Sequence, residues 1–129
     1  MKKKYLIILA DYYKEISKGL LKSALNFIPK SNKVKIIIVP GVFEIPVTIS
    51  KNIKKFDAFI ALGCVIKGQT PHFDFISQAT TQAIMNLSVE NKKPIGNGII
   101  TCLNISQARA RKKKGAEAAK AVISILSQK

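Results

Sequence analysis

DAFIALGCVIKGQTPHFDFISQATTQAIMNLSVENKKPIGNGIITC, residues 57–102, is the stretch that decides the fold. Its first seven residues, 57–63, form an apolar run of strand length without polar alternation, the pattern of a strand covered on both faces. Helical spacing follows over residues 73–90 and is ended by Asn91 and Pro94. Ile95–Cys102 reads as a second strand, in which Gly96 and Gly98 mark a close backbone approach. Strand, helix, strand in that order is a crossover unit, which joins parallel strands. The same alternation continues outward in both directions. Upstream lie a strand over Lys4–Ala10, a helix over 16–28 with Ile16, Leu20, Leu21, Ala24, Leu25 and Ile28 on one face, and a strand over 34–39 stopped by Pro40-Gly41. A helix over 44–55 follows, with Pro46 tolerated in its first turn. Downstream, helices over 105–112 and 115–127 close the series. The pattern predicts an α/β fold: a parallel sheet with helices on both faces.

At 129 residues, 47% of them apolar, the chain reads as one globular domain, 1–129, with a single core. Lys2-Lys3-Lys4 ahead of an apolar run imitates a secretory leader. The run is short, however, Asp11, Lys14 and Glu15 follow at once, and no small-residue cleavage site is in view. No stretch approaches the roughly 18–20 apolar residues of a transmembrane helix. A soluble, cytoplasmic protein without a membrane partner is expected.

The net charge of +15 admits nucleic acid, anionic lipid or an anionic substrate as partner. It is nearly all lysine, spread over the whole length, without the interleaved aromatics of a single-strand binding platform. A general coding preference for Lys, Ile and Asn gives the same excess, so no specific nucleic acid is expected. The two arginines, Arg109 and Arg111, are sharper, because guanidinium makes bidentate phosphate contacts that lysine does not. Cys64 and Cys102 each end an apolar run and read as buried free thiols. One histidine and two distant cysteines lack metal-ligand spacing, so no metal is expected.

In parallel sheets of this class ligands bind beyond the carboxyl ends of the strands. The unusual residues fall there: Asp11-Tyr12-Tyr13, Pro40 to Glu44, and the segment from Cys64 to His72. His72 is expected in a long loop, behind Gly68-Gln69-Thr70, whose backbone N–H groups and hydroxyl suit an anion. An imidazole titrating near neutrality beside such a cradle suits proton transfer. Asp74, two residues on, either orients the imidazole or caps the helix, and capping is the stronger reading. Glu44 is either a hydroxyl-binding carboxylate or a favourable charge at a helix start. Arg109 and Arg111 are two residues apart and point in different directions on a helix, so at most one reaches a given phosphate. Nothing in the sequence has the spacing of a dinucleotide fingerprint, a P-loop or a Ser-His-Asp triad. Read residue by residue, the chain is an α/β domain with a strand-end pocket, an anion site and one histidine.

The same residues carry a resemblance. Val39-Pro40-Gly41-Val42-Phe43-Glu44-Ile45-Pro46 resembles the VPGAFEIP segment of the lumazine synthase family. Residues 61–74, ALGCVIKGQTPHFD, resemble its ALGxVIRGETxHFD block, and Gly115-Ala116-Glu117-Ala118-Ala119 matches its closing GxEAA. The similarity is ordered along nearly the whole chain. It implies a flavodoxin-like three-layer α/β/α sandwich with a four-stranded parallel sheet, and a homopentamer that some members pack into a closed shell. It also implies condensation of 5-amino-6-(D-ribitylamino)uracil with 3,4-dihydroxy-2-butanone 4-phosphate to 6,7-dimethyl-8-ribityllumazine, without metal or organic cofactor.

By position, the resemblance makes His72 the proton-transfer residue. Gln69, Thr70 and Arg111 become the phosphate ligands, and Val42, Phe43 and Glu44 the grip on the ribityl chain and ring. Cys64, Val65 and Ile66 line the pyrimidine, Tyr12 stacks on it in place of a family Phe, and Lys114 matches a family Lys. Three departures stand out. Asn97 occupies the place of an aromatic that many members contribute from a neighbouring subunit, Lys67 replaces Arg, and the segment between Arg111 and Lys114 is shortened. Two other classes stay open on the sequence: a relative that holds a flavin or lumazine without turnover, and a nucleic-acid-binding α/β domain.

Overall fold

Tyr5, Ile7 and Leu9 alternate with Leu6, Ile8 and Ala10 along the first strand, and all six are buried, so both faces of that strand are covered. The computed structural model describes residues 2–69 and 71–128. In it β1 (Lys4–Ala10), α1 (Lys14–Phe27) and β2 (Lys33–Val39) lead to a 3-10 turn (Val42–Glu44) and α2 (Ile45–Asn52). There follow β3 (Ala58–Ile66), α3 (His72–Asn91), β4 (Ile95–Cys102), α4 (Ile105–Ala110) and α5 (Lys114–Leu126). The strands form one parallel sheet in the order β2-β1-β3-β4.

One face of the sheet packs Ile16, Leu20 and Ala24 of α1 and Ala118, Ala119 and Val122 of α5 against Tyr5, Ile7, Leu9, Ile60 and Leu62. The other packs Ile45 and Ile49 of α2 and Ile84 of α3 against Leu6, Ile8, Phe59 and Ala61. This is the flavodoxin-like three-layer sandwich that the resemblance implies. The close approach expected at Gly96 and Gly98 is present. A Cβ at Gly96 would stand 2.9 Å from Val122 Cγ2, and one at Gly98 would stand 3.3 Å from Ala118 Cβ. Two glycines in β4 therefore let α5 lie directly on the strand.

Several boundaries differ from the sequence expectation. The 3-10 turn takes Val42–Glu44, so α2 starts at Ile45 and stops at Asn52, short of residue 55. β3 runs three residues past Gly63, to Ile66, because β4 supplies it with partners: Gly63 to Ile66 pair with Ile99 to Cys102. β1 pairs with β3 only as far as Leu62. Beyond that point β1 has turned away into Asp11–Tyr13, and the extra length of β3 forms a step at the carboxyl end of the sheet. The step adjoins the boundary between β1 and β3, where the chain's winding reverses and a crevice opens in folds of this kind.

Candidate active site

The turn after β1 is held from below. Ser17, buried in the first turn of α1, donates its hydroxyl to Ala10 O at 2.6 Å. Asp11 N donates to Val39 O at 3.1 Å. These bonds fix Tyr12 and Tyr13 over the step, where their rings meet edge to face at 4.9 Å and 80°. Opposite them, the 3-10 turn carries Val42 inward and leaves Phe43 exposed. Glu44 closes that turn by accepting a hydrogen bond from Gly41 N on Oε1 at 3.0 Å. Its carboxylate therefore serves the chain's own backbone with one oxygen.

A hollow of about 550 Å³ results, lined by Tyr12, Tyr13, Gly41, Val42, Phe43, Cys64, Val65, Ile66, His72 and Ile76. Seven of the sequence-derived candidates thus share one cavity: Tyr12, Val42, Phe43, Cys64, Val65, Ile66 and His72. His72 does not sit in a loop, as expected, but is the first residue of α3, behind Pro71. Asp74 is no side-chain cap either: it lies exposed in the first turn of α3, where its charge favours the helix end. Cys64, Val65 and Ile66 belong to the strand itself and not to the segment after it. Cys64 and Cys102 are buried and free, as expected. Burial, followed by the neighbouring Cys102 thiol, pushes the Cys64 thiol up to about 12.

The remaining candidates lie elsewhere. Glu44 lines an adjoining hollow of about 550 Å³ between the 3-10 turn, α2 and α3, which shares Phe43 with the first. Arg111 and Lys114 line a separate hollow of about 480 Å³ beside β4, with Thr101, Lys113 and Glu117. Arg111 Nη1 donates to Thr101 O at 3.1 Å and to Cys102 Sγ at 4.0 Å. Lys114 Nζ stands 3.8 Å from Glu117 Oε1. Arg109 is turned the other way, its Nε 3.5 Å from Glu15 Oε2. The two arginines diverge, but not from one continuous helix as expected: α4 ends at Ala110, and Arg111 is the capping residue beyond it. Asn97 lines none of these hollows; its Oδ1 accepts from Ile99 N at 3.0 Å. Gln69 is exposed between β3 and α3, and Thr70 lies outside the described residues.

Sequence reasoning placed Tyr13 and Gly41 at the ligand end of the sheet without giving them a role, and it missed Ile76 as a lining residue. Ile76 was findable, because it stands one helical turn after His72. Among the described residues no helix is long and apolar enough to cross a membrane.

The whole chain now points one way. Residues 2–129 match the sequence model of the 6,7-dimethyl-8-ribityllumazine synthase family. This chain belongs to that family. Among its relatives, the 6,7-dimethyl-8-ribityllumazine synthase of Bartonella bacilliformis is 44% identical over 115 residues, which cover 85% of this chain and 76% of the relative. That of Cutibacterium acnes is 39% identical, covering 96% and 80%. Synthase 1 of Rhodopseudomonas palustris is 40% identical, covering 94% and 82%. Membership makes the chain a transferase of riboflavin biosynthesis, and nothing favours a pocket without turnover or a nucleic-acid module.

Proposed function

We propose that the hollow lined by Tyr12, Phe43 and His72 is where this chain joins 5-amino-6-(D-ribitylamino)uracil to 3,4-dihydroxy-2-butanone 4-phosphate. The observation that carries the assignment is the shape and lining of that hollow. Two tyrosine rings and Phe43 face the apolar end of β3 across a gap of about 550 Å³, with an imidazole at its edge. Such a slot suits a flat heterocycle with one mobile proton donor beside it.

In the proposed sequence the uracil's amine attacks the ketone, and loss of water gives a Schiff base. Inorganic phosphate then leaves, and attack by the second nitrogen closes the ring with loss of another water. His72 moves protons in these steps. Tyr12 stacks on the ring, while Cys64, Val65 and Ile66 form its bed. Val42, Phe43 and Glu44 grip the ribityl chain, with Glu44 reaching the site from the adjoining hollow. Gln69, Thr70, Arg111 and Lys114 take the phosphate. Holding two reactants in register contributes much of the rate, since effective molarities can reach about 10⁵ M or more.

Arg111 and Lys114 line a different hollow from His72 within one chain. That separation supports a homo-oligomer, a pentamer, in which one copy's β4 edge completes its neighbour's site. An exposed apolar stripe on α3, with Phe75, Met85 and Val89, supports the same reading. The protein works in the cytoplasm on these two small molecules. The test is direct: purified protein mixed with both substrates yields lumazine fluorescence faster than the uncatalysed mixture. A rate equal to the uncatalysed one refutes the proposal.

A further inference from the structure

Tyr13 has no part in the roles just described, yet it lines the same hollow. Its backbone is fixed at the start of α1, where its carbonyl accepts from Ser17 N at 2.9 Å. Its ring packs against the core of the α1 and α5 face and edge to face against Tyr12. The phenol is therefore held in one direction by packing on both sides. Among the described residues nothing hydrogen-bonds to its hydroxyl.

The lining offers few polar side chains: Tyr12, Tyr13, Cys64 and His72. Tyr12 is 75% exposed, at the rim, and His72 is exposed as well. Cys64 is buried, but a thiol is a weak donor. Tyr13 is thus the strong donor that sits half-buried beside the bed of the slot. Burial, then the nearby Tyr12 and Cys64, raise its pKa, so the proton stays on oxygen at physiological pH. An apolar slot admits a planar ring readily, but the ring's polar edge loses water on entry and needs a partner.

We propose that the Tyr13 hydroxyl donates a hydrogen bond to a carbonyl oxygen on the edge of the pyrimidine substrate, which makes Tyr13 a binding and specificity residue of this chain. The inference rests on the reading of the hollow as the pyrimidine site. It assigns the substrate with the ring, and not the sugar phosphate, to this side chain.

The test is Tyr13→Phe, which keeps the packed ring and removes only the oxygen. KM for the ribitylaminouracil should rise roughly 2–12-fold, the range that one neutral hydrogen bond of ordinary strength corresponds to. Affinity for the product lumazine, read from its own fluorescence in a titration without turnover, should fall by a similar factor. KM for the sugar phosphate, kcat and the melting temperature should stay within error. Tyr5→Phe removes a phenol oxygen from a buried tyrosine outside the hollow and serves as control, with both KM values unchanged. Unchanged uracil KM in Tyr13→Phe overturns the inference. So does a rise in both KM values together with a lower melting temperature, which would mean that the hydroxyl serves the fold. Wild-type protein without turnover would refute the proposed reaction itself, whereas wild-type turnover matched by Tyr13→Phe refutes only the role of Tyr13.

Discussion

On one side of the sheet α5 lies against β4 and α1 with glycines at its contacts, and Gly115, Ala118, Ala119 and Val122 are buried there. On the other side α3, seven residues longer, buries only Thr80 and Ile84 and leaves Phe75, Met85 and Val89 exposed. The α1 and α5 side is closed over β1, β3 and β4, with small residues at the contacts between backbones, and only β2 at its edge leaves Ile36 and Ile38 exposed on that face. The α2 and α3 side is complete only under its centre. Its upper end is the candidate site, headed by His72, and its flank is apolar surface without a partner in the chain. The contrast separates stability from function: changes on the closed side should unfold the protein, and changes on the open side should impair it while it stays folded.

The sharpest way to break this separation is His72→Ala. Turnover should fall by roughly 10–10⁴-fold, because a general acid–base group typically contributes about 10²–10⁴ and the spontaneous reaction sets a floor. The denaturation midpoint should not move, since the side chain is exposed. Unchanged turnover removes His72 from the chemistry, and a lost midpoint makes it a structural residue.

Arg111→Ala is expected to raise KM for the sugar phosphate by about 10–100-fold, as loss of a charge-assisted bond of roughly 1.5–3 kcal/mol would, with KM for the uracil little changed. A second measurement asks whether the open side is shared between copies. His72→Ala and Arg111→Ala variants, refolded together, should regain activity that neither has alone, because some sites then hold both wild-type groups. No recovery would place both residues in one copy's site.

On the closed side, Gly115→Ala should cost roughly 1–3 kcal/mol, the usual penalty of overpacking. A Cβ there would stand 3.0 Å from Leu20 C and 3.1 Å from Ala24 N, both backbone atoms of α1 that cannot swing aside. Urea titration measures the loss, and KM values taken where the variant is folded should match wild type. A stable variant would mean that α1 and α5 are free to move apart, and the closed side would lose its special standing.

The contrast also explains what was legible beforehand. Buried apolar runs such as Leu6-Ile7-Ile8-Leu9 carry their own signal, and all four strands were found from such runs. What escaped depended on distant partners. β3 continues to Ile66 only because residues 99–102 of β4 lie beside it. α2 ends at Asn52, and the carbonyls of Ile53 and Phe56 beyond it are taken by Lys93 Nζ at 2.6 and 2.9 Å, a lysine about forty positions downstream. No local pattern separates that lysine from the others in so basic a chain. Of the site, the strand-end residues were readable because the fold class says where ligands bind. The hollow shared by His72 and Tyr12, and the exclusion of Arg111 from it, required the turn after β1 and the register of β4.

The smallest expected effect probes where the two regions meet, at Cys64, which belongs to the core of the closed side and also lines the hollow. Burial, with help from Cys102, lifts its thiol from the ordinary 9.0 to about 12 in the folded chain. The unfolded chain releases this proton near pH 9 and the folded chain keeps it until about pH 12. Between those values the native state binds more protons than the unfolded one, so stability falls as pH rises, having been fully present below pH 9. Tyr5 and Tyr13, also raised by burial, add to the slope with the same sign. Cys64→Ala removes only the thiol's share. Denaturation midpoints of wild type and variant at pH 8 and pH 10.5 should therefore converge at the higher pH. If the difference between them is the same at both values, the thiol ionises alike in both states, and water from the hollow reaches the bed of the slot that the closed side was taken to seal.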